Sequence, residues 1–281
     1  SHTCTHGALG AFSTGMGSTD LAFAMVTGGN WFKVPESIKV VLSGKPGKYT
    51  TGKDIILEII RMIGVDGALY RTLEFTGSTI EYLTMDDRFS MCNMAIEAGA
   101  KSGIVAYDDI TKEFLSDKNL AREPKIHYSD SDASYVQTLE IDVASLDPVI
   151  AYPFLPSNGH SVKQAVADKI KIDQAFIGSC TNGRLSDLKV AAEILKGKRV
   201  HPDVRLIVTP GTQMILREAN KLGYIDIIVD AGGVVSNPTC GACLGGYMGI
   251  LGDNEVAVST TNRNFVGRMG SRSSKVYLAN S

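Results

Sequence analysis

The sequence predicts an α/β fold built on doubly wound, parallel sheets. Two observations lead to it. From Ala175 onward, short β-branched runs alternate with segments of helical period, the pattern of strands joined by crossover helices. Glycine, at 29 of 281 residues, is plentiful enough to supply many strand-to-helix turns. In such sheets ligands bind beyond the carboxyl ends of the strands, so the loops after each strand are the places to search for chemistry.

Residues 1–32 read as a Gly-rich loop and then a helix over 21–26, capped by Ser18, Thr19 or Asp20 and ended by Gly28 and Gly29. Residues 38–42 predict a strand. Thr51, Gly52, Lys53 and Asp54 have the form of a capping box, and Ile55, Ile56, Ile59, Ile60 and Ile63 continue at helical spacing to Gly64. Residues 68–75 predict a strand. Asp86 or Asp87 is expected to cap a helix through Ala98, with Asn93 and Glu97, four residues apart, on one face. A short strand over 104–107, a charged surface helix over 112–125 and a strand over 136–143 follow. Pro148, Pro153 and Pro156 mark a linker, which places a domain boundary between Leu146 and Gly159. Beyond it, strands are expected over 175–178, 204–208, 225–229, 256–259 and 276–278, with helices over 187–196 and 213–222.

Composition narrows the function. A net charge of −2 lends no electrostatic support to a nucleic-acid or anionic-membrane role. No run approaches the roughly 20 apolar residues of a membrane helix. Five cysteines, an odd number without a disulfide-framework layout, point to a reducing compartment, hence the cytoplasm.

Three of those cysteines stand in two Gly-rich loops, Cys180 within residues 178–184 and Cys240 and Cys243 within residues 238–246. Three converging thiolates suit an iron–sulfur cluster with one iron left open. The spacing also admits a dithiol redox pair, part of a structural zinc site lacking its fourth ligand, or two small buried residues. On spacing alone Asn93 and Glu97 read as a solvated polar face, and His2 as a solvated terminal histidine.

The residues around the cysteines are more specific. Ser-Cys-Thr-Asn-Gly-Arg (179–184), Pro-Thr-Cys-Gly-Ala-Cys-Leu-Gly-Gly (238–246) and Thr-Thr-Asn-Arg-Asn-Phe-Val-Gly-Arg-Met-Gly (260–270) occur in that order. Ser-His-Thr-Cys-Thr-His-Gly-Ala (1–8) and Asn-Met-Ala-Ile-Glu-Ala-Gly-Ala-Lys (93–101) precede them. With these motifs the chain resembles the aconitase superfamily along nearly its whole length. His-Thr-Cys-Thr-His-Gly-Ala (2–8) and the Arg-Met-Gly ending are similar to the family of 3-isopropylmalate dehydratase large subunits and their homoaconitase relatives.

The resemblance implies aconitase-like, doubly wound domains with three-layer α/β/α sheets. Residues 1–34 would be the remnant of a first domain, 35–147 a second, and 148–281 a third that carries the cluster. It implies one [4Fe–4S] cluster per subunit, held by Cys180, Cys240 and Cys243, with one iron not ligated by cysteine. His2 would be the active-site histidine paired with Glu97. Ser1, Asn93, Asn262, Arg263 and Arg268 would bind substrate, and Cys4 and His6 would line the pocket wall. The reaction implied is reversible dehydration and rehydration of a hydroxy di- or tricarboxylic acid, for which arginine forks suit the carboxylates. The implied partner is a small subunit carrying the swivelling domain, in a heterodimer or heterotetramer. The chain begins and ends inside family motifs, so a fragment is expected, lacking an upstream Asp–His pair and inactive alone.

Three function classes compete. The first is this hydro-lyase subunit, for isopropylmalate in leucine biosynthesis or for a homoaconitate- or citramalate-type substrate. The second is a non-catalytic RNA-binding apo form, disfavoured by the absence of a basic stripe. The third is a dithiol oxidoreductase using Cys240 and Cys243, which leaves Cys180 and the arginine motifs unexplained.

Overall fold

The computed structural model describes residues 2–281. They group into two compact units, one formed by residues up to Lys48 with Val65–Leu146, the other by Tyr49–Gly64 with Asp147–Ser281. The described part of residues 1–34 thus groups with the first unit. The Gly52–Ile63 helix, expected within a 35–147 domain, groups with the second.

The first unit is built on four parallel strands, β1 (Ser37–Ser43), β2 (Thr72–Thr76), β3 (Ser102–Val105) and β4 (Gln137–Asp142), in the order β3-β2-β1-β4. Ile38, Val40 and Leu42 alternate along β1 and are fully buried. The Met85–Met94 helix starts two or three residues earlier than the acidic residues suggested. Thr84 is its cap, and a capping box with Asp87 satisfies the first-turn amides. The helix then tightens into a 3-10 turn, Ala95–Ala98, closed by Gly99 in the left-handed region at φ 83°. Residues 2–9 also form 3-10 turns, and these lie against β3 and the Met85–Met94 helix. A Cβ at Gly7 would overlap the Gly103 carbonyl, so only glycine allows this approach.

Three expectations in this unit shift. The 68–75 strand begins at Thr72, because Ala68 and Tyr70 spend their amides on the carbonyls of Ala98 and Gly99. The 112–125 helix is instead Asp109–Leu115, started by Asp108, which accepts from the Thr111 amide. The first helix is Ser18–Thr27, preceded by Gly17 and ended by Gly28 at φ 75°.

The second unit has a seven-stranded sheet. Its strands are β5 (Val149–Ala151), β6 (Gly159–Ser161), β7 (Gln174–Gly178), β8 (Arg205–Thr209), β9 (Val234–Val235), β10 (Val256–Ser259) and β11 (Lys275–Leu278). The order is β6-β5-β11-β10-β7-β8-β9. The strands from β11 to β9 pair in parallel, while β5 runs antiparallel to both β11 and β6. Strand β5 lies within the proline-marked linker region and β6 begins at its end, where neither was expected.

The expected strand over 225–229 is a correction. Residues Tyr224–Asp230 form a helix, and the edge strand is the two-residue β9 further on. A short apolar run does not distinguish a strand from a packed helix by itself. Here Gly223, at φ 74°, turns the chain directly into a new helix. Ile228 then joins the buried cluster of Leu188, Leu206, Val208 and Ala219.

Candidate active site

Sequence-predicted residues are found in both units. In the first, the 3-10 turns bring His2 to Glu97, with Nε2 2.8 Å from Glu97 Oε1. The carboxylate side chain is 2% exposed and the imidazole 15%, so the contact is largely sealed from water. A chain of bonds holds the histidine's backbone. Asn93 Nδ2 donates to Thr5 Oγ1 at 2.8 Å, and that hydroxyl donates to the His2 carbonyl at 2.6 Å. Asn93, expected at the substrate, is fully buried. Cys4 is buried too, and its thiol donates to the Asn93 carbonyl at 3.3 Å. Burial pushes that thiol up to about 11, which keeps it neutral. His6 is exposed and sits 3.4 Å from the Ser13 hydroxyl. Ser1 lies outside the described residues.

In the second unit the site loops follow β7, β9 and β10, at the carboxyl ends of parallel strands. Strand β7 ends at Gly178, where φ is 150° and a Cβ would overlap the Thr209 hydroxyl and carbonyl. The chain turns there into Ser179–Asn182 and carries Cys180 to the surface. Cys240 is exposed and Cys243 buried, and Gly245 at φ 80° ends the turn between them and the next loop. Residues 260–263 continue from β10.

These loops are tied together by side chains. The Cys243 thiol donates to Asn262 Oδ1 at 3.8 Å, and Asn262 Nδ2 donates to Thr181 Oγ1. Asn262, expected to meet substrate, is fully buried and bridges both cysteine loops. Burial raises the Cys243 pKa, and the charges of Cys180 and Cys240 add to the rise. Arg268 acts the other way on the same thiol. The Cys243–Asn262–Thr181 chain thus ties the loop of Cys243 to the loop of Cys180. Arg263 and Arg268 are half-buried, and Arg268 Nε is buried without a hydrogen-bond partner in the protein.

Sequence reasoning missed the centre of this arrangement, Lys53. It lies in the first turn of the Gly52–Ile63 helix and is fully buried. Its Nζ donates to the carbonyls of Thr261 at 2.7 Å and Thr260 at 2.8 Å, and to Asn182 Oδ1 at 3.3 Å. Burial lowers the ammonium to about 8, opposed by the charges of Asp187, Cys243, Asp54 and Cys180. Asn182 Nδ2 in turn donates to the buried Asp187 at 3.0 Å. The overlooked signal was a lysine one turn away from Ile56 and Leu57, on the apolar face of its helix rather than merely inside a capping box.

The donor set fits an iron–sulfur cluster. Its three thiols form no disulfide and come from two loops, and Arg268 Nε is buried without a hydrogen-bond partner in the protein. Among the described residues, no three His, Cys, Asp or Glu side chains are spaced to hold a single metal ion. A cluster binds each thiolate at a different iron and so spreads its ligands further apart than one ion does.

Comparison with known proteins agrees with the motifs. The profile of the aconitase family (aconitate hydratase) matches residues 1–281, and the chain belongs to that family. A curated 3-isopropylmalate dehydratase large subunit from Sulfurimonas denitrificans is 92% identical over 281 residues, all of this chain and 67% of the relative. Proteins of the same name from Aliarcobacter butzleri and Wolinella succinogenes are 78% and 74% identical, again over all of this chain and 67% of theirs. Among solved structures, holo aconitase X from Thermococcus kodakaraensis aligns with a TM-score of 0.46 and 16% identity, over 82% of this chain and 49% of that one. The family assignment rests on the sequence matches alone.

Proposed function

We propose that the chain is the cluster-bearing part of a 3-isopropylmalate dehydratase large subunit, interconverting 2- and 3-isopropylmalate by dehydration and rehydration in leucine biosynthesis. The observation that supports this reading is the Cys243–Asn262–Thr181 chain of hydrogen bonds, which ties the two cysteine loops together within one unit. The names of the relatives support the choice of substrate over a homoaconitate or citramalate analogue.

Cys180, Cys240 and Cys243 would hold a [4Fe–4S] cluster. When bound, the cluster supplies a Lewis-acidic iron that makes a substrate hydroxyl a better leaving group. Arg263 and Arg268 would grip the substrate carboxylates, because planar guanidinium donors reach two oxygens at once. Asn262 would hold the cysteine loops in register for that contact. His2 would carry the proton of the departing or returning water. Glu97 would fix the imidazole's orientation and stabilise its protonated form.

The partner under this reading is a small subunit, as the relatives' name "large subunit" supports. The chain is expected to be inactive without it. The five cysteines, none in a disulfide, suit a reducing cytoplasm; no helix among the described residues is long and apolar enough to cross a membrane.

Anaerobic reconstitution with iron and sulfide tests the proposal. The wild type should take up both and turn brown, and Cys180→Ser should load poorly. Addition of a small subunit from one of the named relatives should then give conversion of 3-isopropylmalate. A wild-type chain that takes up no iron would refute the cluster assignment.

A further inference from the structure

Lys53 has no role in the reading above, yet it is the most deeply placed cation near the cysteines. It is fully buried, and its three acceptors belong to two separate loops. Asn182 lies in the Cys180 loop, while Thr260 and Thr261 lead into Asn262 and Arg263. One ammonium therefore clamps the loop of a cysteine to the loop that carries a substrate-binding arginine. The charged groups facing it are Asp187, Cys243, Asp54 and Cys180. Asp187 is reached through Asn182 and also caps the Leu185–Leu195 helix at the Arg184 amide. Asp54 is occupied elsewhere, accepting from Thr51, the Val149 amide and Asn280.

A buried cation is expensive to desolvate and persists only where its partners compensate it. A neutral residue of similar length, such as methionine, would avoid that desolvation but leave the Thr260 and Thr261 carbonyls and the Asn182 side chain without this donor. Three cysteine ligands and the sulfides of a cluster concentrate negative charge, and a fixed positive charge beneath them opposes it.

We infer that Lys53 is a positioning residue for the cluster. Its ammonium locks the Cys180 loop to the Thr260–Arg263 segment and supplies the positive charge against which the cluster is held. The inference rests on the cluster reading proposed above.

The test uses the whole chain, reconstituted anaerobically, with Lys53→Met, Lys53→Arg and Asp187→Asn beside the wild type. Three quantities are read: iron and sulfide content, the rate of iron loss to a chelator, and the reduction potential of the bound cluster. Lys53→Met should lose iron about tenfold faster, the equivalent of one charge-assisted hydrogen bond. Its potential should move negative, since removing a positive charge disfavours the reduced form. Lys53→Arg should return both towards the wild type. Asp187→Asn, which unmasks the lysine, should move the potential positive.

A loaded Lys53→Met with wild-type potential and iron retention overturns the inference. So does a loaded Lys53→Arg that behaves like Lys53→Met, because space-filling then explains the residue. If neither Lys53 variant folds by circular dichroism, Asp187→Asn decides: an unmoved potential overturns the charge role, and a positive shift supports it. A wild type that binds no iron overturns the cluster reading and this inference together, whereas the other failures leave the cluster reading standing.

Discussion

Replacing Asp108 with asparagine should loosen the first unit by an amount that the structure lets us work out. Arg88 is wholly buried in the Met85–Met94 helix. Its Nη1 and Nη2 each lie 2.7 Å from an Asp108 oxygen, and Nη2 also donates to the Ile80 carbonyl at 2.9 Å. Removing one partner of a buried pair costs about 3–5 kcal/mol, because the remaining charge stays desolvated. The Asp108 side chain is 34% exposed, so water screens the pair. Asparagine also keeps one acceptor, so about 2–3 kcal/mol is expected. With a urea m-value of about 2 kcal/mol/M, the midpoint should fall by roughly 1 M.

The assay is urea denaturation of the iron-free chain, followed by circular dichroism and by hydrogen exchange at the Ser102–Val105 amides. Arg88→Met combined with Asp108→Asn should recover part of the loss, since no unpaired charge remains. The effect also depends on pH. Burial pushes the Asp108 carboxyl up, but the Arg88 hydrogen bonds and the Thr111 amide outweigh it and hold the group below its ordinary 3.8. A depressed folded value means that the stabilisation is present in full above the unfolded value, about 3.9, and is lost as pH falls through the folded one. The gap between wild type and variant should therefore close below about pH 4. A midpoint shift under about 0.3 M at pH 7, the effect of an ordinary surface change, would refute the reasoning.

Two further outcomes concern the site itself. In the assembled enzyme, Glu97→Gln should lower kcat by about 10²–10³ with little change in KM, because His2 loses the carboxylate that supports its protonated form; an unchanged kcat would detach His2 from the proton transfer. On the iron-free chain, iodoacetamide should modify the exposed Cys180 and Cys240 first. Cys4 and Cys92 should react last, since burial holds the former at about 11 and the latter well above 9.0. Mass mapping of the peptides that finds Cys4 or Cys92 labelled early would contradict the burial described.

The α/β class was legible because alternating β-branched and helical-period runs leave few other ways to bury both kinds of element. The corrections fall where local pattern is silent. The 225–229 run has the composition of a strand, and only the position of Ile228 against Leu188, Leu206 and Val208 makes it a helix. Asn93 and Glu97, four apart, do face the same turn although the helix tightens after Met94: Asn93 holds Thr5, and Glu97 holds His2.

By itself the sequence determined the chemistry on offer: three cysteines in two loops, a histidine and a glutamate in family motifs, and arginines of the kind that suit carboxylates. Which groups touch is a long-range matter. His2 and Glu97 are 95 residues apart, Cys243 and Asn262 are 19, and Lys53 lies 208 residues from the Thr261 carbonyl that it holds. No local propensity encodes such pairings, because side-chain contacts across a sheet depend on strand order and register. Burial decides the rest, since the same lysine that would be solvated on an exposed helix is held, without water around it, by Asn182, Thr260 and Thr261.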